Sequence, residues 1–314
     1  MKHTDYFDTF LTDTVNLSKL KLDTLGERVE RVYDGLKADN DFGGQVVSKK
    51  RQGSWAQRTI IEPQNGKEFD GDVMIRLRYN PDWEHNPREY TNALYNALKR
   101  VITDRDFERK CRCVRVHYQT MHIDFVPYVV HPDGYEAIIN RDDNKFERTD
   151  PAAFTQWMRE RDDIANKNLR KTIRLMKFLR DQKNSFTGTR SIILTTLLGE
   201  RVSDTKELWT PGAYSDLPTA LLTIVTDLDE WLKYQFAKPH VADPSGTGLD
   251  FDHRWNDESF YYFKARINVH AQQIRDAYHE QDPDESVKKW QVLFGDGFKA
   301  PKGSAPTKFG GVGG

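Results

Sequence analysis

With 314 residues, of which 37% are hydrophobic and 12% aromatic, the chain can bury one large core or two smaller ones that share a cleft. Lysine and arginine total 47 against 48 acidic residues, a formal net charge of −1; this excludes a bulk pull on a nucleic-acid backbone and confines any basic site to a local patch. The opening residues carry no apolar leader, and no run approaches the ~20 apolar residues of a membrane helix, so the sequence reads as cytosolic.

Residues 4–39 place Phe7, Phe10, Leu11, Leu17, Leu20, Leu22, Leu25, Val29, Val32 and Leu36 at spacings dominated by three and four, which predicts helix. From 45 to 130 the pattern shortens and alternates, at Val46-Val47, Val73 to Leu77, Val114 to Val116 and Ile123 to Val126, which predicts strands of one mixed sheet. Tyr90, Leu94, Ala97, Leu98 and Val101 lie on one face of a helix over 87–102 that packs on that sheet. Beyond residue 150 the chain turns helical, with predicted helices over 151–183, 190–198, 217–234 and 259–279, and a Pro- and Gly-rich loop over 239–248. The expected organisation is α/β followed by all-α: a lobe over 1–150 with an N-terminal helix, a helical lobe over 151–295, and a tail over 296–314 that its glycines predict to be flexible. Cys111 and Cys113 sit two apart on an expected strand, where a bridge would strain the backbone. Two cysteines also fall short of the ~4 ligands of a structural zinc.

The carboxylates carry the chemistry. In a strand starting at Phe69, alternation sends Asp70 and Asp72 to one face and Val73, Ile75 and Leu77 toward the other. Asp124, flanked by Ile123 and Phe125, adds a third acid from a neighbouring strand. Hard oxygen ligands of this kind suit Mg²⁺ or Mn²⁺, which fill a site with one or two carboxylates plus substrate phosphates. Gln52-Gly53-Ser54 supplies a turn in which Gly53 lets backbone approach a phosphate and Ser54 offers a hydroxyl and an N–H.

The ordered set Gly53-Ser54, Asp70-x-Asp72 and Asp124 resembles the polymerase-β-like nucleotidyltransferase pattern, and over about residues 10–295 the chain is similar to the bacterial cGAS/DncV-like nucleotidyltransferases. The resemblance implies a bilobal fold with a mixed-sheet catalytic lobe and an oligoadenylate-synthase-like helical lobe. It also implies a bacterial synthase of cyclic di- or trinucleotide messengers in anti-phage defence (CBASS). ATP and other nucleoside triphosphates would be its substrates, two Mg²⁺ (or Mn²⁺) ions its cofactors, and an effector would be reached only through the product. It assigns Asp70, Asp72 and Asp124 to catalysis and metal binding, and Gln52, Gly53, Ser54, Lys177, Ser191 and Asp243 to the nucleotide. A basic ridge of Arg170, Arg174 and Lys177 fits the lysine on helical spacing, as an ordinary solvated charged flank does equally, and Ser191 has the alternative role of a helix cap. Pro63 and Asn65-Gly66 read as an inserted hairpin between the turn and the acids. Tyr214, Trp255 and Tyr261 are candidates for stacking on a base, each balanced by an ordinary packing role.

Animal cGAS holds DNA through a Cys/His zinc insertion that this chain lacks, which argues against activation by DNA. Ubiquitin-transfer-like E1/E2 enzymes accompany some members of the family, implying conjugation through Gly314. An RNA-tailing enzyme or a nucleotidylating toxin would share the three acids, the former with a more basic surface; a non-catalytic nucleotide sensor would have no need to keep all three.

Overall fold

The computed structural model describes residues 1–301, so the expected conjugation site Gly314 lies outside the described residues. One mixed sheet of seven strands forms from β1 (Val46–Gln52), β2 (Phe69–Leu77), β3 (Phe107–Arg109), β4 (Val114–His117), β5 (Met121–Val130), β6 (Glu136–Asn140) and β7 (Lys145–Arg148), in the order β1–β2–β5–β4–β3 with β6 also on β5 and β7 on β6. β2 and β5 run parallel while the other pairs are antiparallel. Alternation along the two parallel strands sends Val73, Ile75, Leu77, Ile123 and Phe125 into a core closed by Leu25, Val29, Val32, Tyr90, Leu94 and Leu98. Each such side chain, fully buried, contributes on the order of 1.5–3 kcal/mol. The opposite face carries only a small apolar cluster, Met74, Cys113, Val126 and Tyr128, which leaves its N-terminal end free for polar groups.

The helices are α1 (Thr4–Phe10), α2 (Lys19–Ala38), α3 (Gly53–Ala56), α4 (Arg88–Val101), α5 (Pro151–Ile164), α6 (Leu169–Gln182), α7 (Ser191–Glu200), α8 (Asp204–Trp209), α9 (Leu217–Lys233), α10 (Asp257–His279) and α11 (Pro283–Phe294). Those from α5 onward, apart from the short α8, share a second core that includes Leu169, Ile173, Leu194, Leu221, Phe263 and Trp290. Their starts follow local chemistry: Asp150, Asp216 and Asp282 each accept an N–H of the first turn, with a proline at one of the first two helical positions. Among the described residues no helix is long and apolar enough to cross a membrane.

Five expectations are corrected. The helix expected over 4–39 is two helices: a π-helical turn at Leu11–Val15 ends in extended Asn16, and Ser18 restarts the chain as N-cap of α2, accepting from the Lys21 N–H. Phe7, Phe10, Leu11 and Val15 pack in the helical core rather than under the sheet. The helix expected over 151–183 breaks between α5 and α6, where Asn166 and Lys167 adopt φ of 49° and 64°. The expected hairpin after α3 is a loop, tied by a bridge between Ile61 and Asn16 and by the Asn65 side-chain amide on the Asp181 carbonyl. Cys111 and Cys113 are free thiols in the turn between β3 and β4, not strand residues. Finally, the tail does not begin at Asp296: Phe298 is fully buried, edge-on to Phe7 at 4.9 Å, with its carbonyl accepting from Gln291.

Candidate active site

β2 leaves the sheet core at its N-terminal end, where Phe69 and Gly71 are buried while Asp70 is exposed and Asp72 half-buried on the alternate face. The parallel register sets Asp72 beside Asp124, and the antiparallel register on the other flank sets it beside Gln52, the last residue of β1. Three consecutive strands therefore deliver Gln52, Asp72 and Asp124 to one rim. The chain then turns at Gly53 with φ 57°. A Cβ at Gly53 would lie 2.2 Å from Asp72 Oδ2, so glycine is required both for the left-handed backbone and for the space. Ser54 follows in the single turn of α3 and faces the same opening.

The acids differ in their partners. Asp124 is buried and accepts two bonds from one guanidinium, Arg115 Nε to Oδ1 at 2.7 Å and Arg115 Nη2 to Oδ2 at 2.8 Å. Neither the Asp70 nor the Asp72 carboxylate has a hydrogen bond or ion pair among the described residues. Burial, and then the charges of Asp70 and Asp124, push the Asp72 carboxyl up to about 7, against a smaller opposing influence of Arg115 and Lys177. Converging carboxylates that lack enough positive charge of their own are a donor set suited to hard divalent cations.

On the facing side, α6 brings Lys177. Its Nζ is buried and donates to the Thr59 carbonyl at 3.0 Å and to the Thr59 hydroxyl at 3.3 Å. Desolvation pushes its pKa down to about 8, with Asp70 the leading influence in the other direction. One turn earlier, Arg174 donates to the Arg58 carbonyl at 2.8 Å. The segment behind the Gly-Ser turn is thus clipped to α6 by two side chains. Ser191 opens α7 at its first helical position, the N-cap being Arg190, and its Oγ accepts from Arg180 at 3.1 Å. Asp243 turns inward on its own loop, accepting from Ser245 N–H at 2.9 Å and from the Thr247 hydroxyl at 2.8 Å.

One cleft of about 1100 Å³ between the sheet and the helices is lined by Gln52, Gly53, Ser54, Asp70, Asp72, Asp124, Lys177, Ser191 and Asp243 alike. Residues scattered between Gln52 and Asp243 thus border a single space. Of the stacking candidates, Tyr214 and Trp255 are core residues, and Tyr261 is half-exposed with its hydroxyl on the Phe236 carbonyl. Sequence reasoning missed Arg115, Thr59 and the cationic lining from Arg112, Arg190 and Arg254. Arg115 carried one signal: it is the lone polar residue between Val114 and Val116 on a strand expected beside that of Asp124. His240, Asp250 and Asp252 form a separate group, with one ligand atom from each within 4.8 Å of the others. His240 Nδ1 lies 3.2 Å from a carboxylate oxygen of Asp252.

Residues 1–162 match the model of the Second Messenger Oligonucleotide or Dinucleotide Synthetase domain. A cyclic AMP-AMP-AMP synthase from an Acinetobacter species is 26% identical over 271 residues, covering 84% of this chain and 76% of that protein. A c-di-GMP synthase from Roseivirga ehrenbergii is 26% identical over 327 residues, covering 91% and 82%. In fold, the chain is similar to the Vibrio cholerae cyclic AMP-GMP synthase DncV solved with nonhydrolyzable GTP, with a TM-score of 0.75 at 18% identity, covering 95% of this chain and 97% of that one.

Proposed function

As the chain belongs to the Second Messenger Oligonucleotide or Dinucleotide Synthetase family, we propose that it joins nucleoside triphosphates into a cyclic oligonucleotide, with Asp70, Asp72 and Asp124 as its catalytic acids. It is a nucleotidyltransferase, and its relatives by sequence are cyclic-nucleotide synthases. The observation that carries the residue assignment is the convergence of the three acids with the Gly53 turn on one rim of the cleft.

In this reading a ribose hydroxyl of one nucleotide loses its proton and attacks the α-phosphate of another, expelling pyrophosphate, and the free hydroxyl of the linear product then attacks its own 5′ α-phosphate and expels a further pyrophosphate to close the ring. Asp70, Asp72 and Asp124 are the residues to hold two Mg²⁺ or Mn²⁺ ions, which supply charge neutralisation at the phosphates and a more acidic attacking hydroxyl. Asp124 lies deepest and is the residue to orient that hydroxyl. Gly53 and Ser54 face the triphosphate with backbone and hydroxyl donors, and Lys177 reaches it from α6 on leaving Thr59. Positioning and electrostatics account for most of the rate in such a transfer. The relatives' names give products of different base and size, so base choice belongs to the helical side of the cleft.

The test incubates the purified protein with the four ribonucleoside triphosphates and Mg²⁺ or Mn²⁺, then adds phosphatase. Phosphatase-resistant cyclic products are expected. Tails on added RNA would instead identify a tailing enzyme, and absence of pyrophosphate a nucleotide sensor.

A further inference from the structure

The grip of Arg115 on Asp124 is unlike anything else on the rim. Arg115 on β4 stands directly opposite Asp124 on β5 in the antiparallel register. Backbone pairing and side-chain pairing therefore coincide, and the guanidinium cannot move away without turning out of the sheet face. The pair is well shielded, with side-chain exposures of 24% and 11%. Both Asp124 oxygens are engaged in the side-by-side geometry that makes Arg–carboxylate pairs strong and directional. Asp70 and Asp72, a few ångströms of strand away, have no such partner among the described residues. One acid of the three therefore carries its own fixed positive charge, and the other two do not.

A fixed cation on one ligand acts in two opposed directions. It holds the Asp124 carboxylate in one orientation and offsets its charge while the site is empty. It also occupies oxygen lone pairs that a divalent ion would use, and it repels that ion. We propose that Arg115 is a positioning residue that stands in for a divalent cation on Asp124 in the empty enzyme and so raises the cation concentration at which the site fills. Filling then leans on the negative charge that a triphosphate brings, which ties metal occupancy to substrate occupancy. The proposal rests on the assignment of Asp70, Asp72 and Asp124 as metal ligands.

Thermal unfolding of the full chain, titrated with Mn²⁺ in the absence of nucleotide, tests it, because an ion bound only by the folded state raises the melting temperature with a midpoint set by its affinity. Arg115→Gln removes the charge and is expected to lower the half-saturating Mn²⁺ concentration about fivefold or more relative to wild type. Arg115→Lys keeps the charge but loses the two-pronged grip, and an intermediate value is expected. A purely structural Arg115 would lower the melting temperature with and without Mn²⁺ equally and leave the midpoint unchanged; an unchanged or higher midpoint in Arg115→Gln overturns the proposal. Should Arg115→Gln not fold, Arg115→Lys decides by the same criterion. If neither wild type nor Arg115→Gln responds to Mn²⁺, the metal assignment itself is removed.

Discussion

On the sheet side of the cleft Asp70 and Asp72 stand without partners, whereas on the helical side Lys177 and Ser191 are already held, by Thr59 and Arg180. The sheet side is short of positive charge, and burial together with its neighbours drives Asp72 toward protonation. Lys177 and Ser191 already have partners, and anything that recruits Lys177 must compete with a backbone carbonyl. One half waits for charge to arrive; the other must let go of a contact. A nucleotide carrying a divalent ion answers both conditions at once, and neither component alone does.

Removing the uncompensated charge is the most severe way to break this contrast. Asp70→Asn combined with Asp72→Asn should lower turnover by about 10³-fold or more, as expected when carboxylates that recruit metal are lost, with circular dichroism confirming that the fold persists. Gly53→Ala comes next. The added methyl meets the far end of the Asp72 side chain, which can rotate away only by leaving its place on the rim. Activity should fall about 10²-fold while stability drops only ~1–2 kcal/mol, the cost of a left-handed alanine.

Lys177→Met sharpens the comparison from the other side. If the lysine leaves Thr59 to meet phosphate, steady-state kinetics should show KM for the triphosphate rising about tenfold, equivalent to one charge-assisted contact. The smallest effect concerns stability. A carboxyl whose folded pKa of about 7 exceeds its ordinary value makes the fold bind protons that the unfolded chain releases, so its burden on stability is present above that value and is relieved as pH falls through 7 toward 4. Asp72→Asn should therefore raise the melting temperature by ~1–3 °C in EDTA at pH 8 and by less at pH 5. Equal shifts at both pH values would show that Asp72 is not strained by charge.

The acids were legible because strand alternation fixes a face from sequence alone: once Val73, Ile75 and Leu77 are assigned inward, Asp70 and Asp72 have nowhere else to point. Arg115 was not, since which residue opposes Asp124 depends on a register between strands that no local pattern encodes. Thr59 escaped for a related reason; its function as seat for Lys177 uses its backbone carbonyl, which every residue type has. Breaks within helices were written in residues whose meaning depends on context. Ser18 is an N-cap once a break exists, yet it is tolerable inside a helix, and apolar spacing runs through it undisturbed. Asn166 and Lys167 hide their break likewise. Phe298 was misjudged because neighbouring glycines outweighed one aromatic in a compositional reading, whereas burial decides by the single side chain.

That aromatic cluster sets an order of assembly. Phe7 and Phe10 from the start of the chain close on Trp290, Phe294 and Phe298 from its far end, contacts of nearly maximal sequence separation. A chain made from its N-terminus has every strand of the sheet available before α11 leaves the ribosome, so Phe7 waits for Trp290 while Phe10 can meet Phe178 earlier. The cleft, lined by residues from Gln52 to Arg254, needs both halves and so follows the sheet. Long-range closure of this kind is slow, which makes the helical core that carries Lys177 a later product of folding than the sheet.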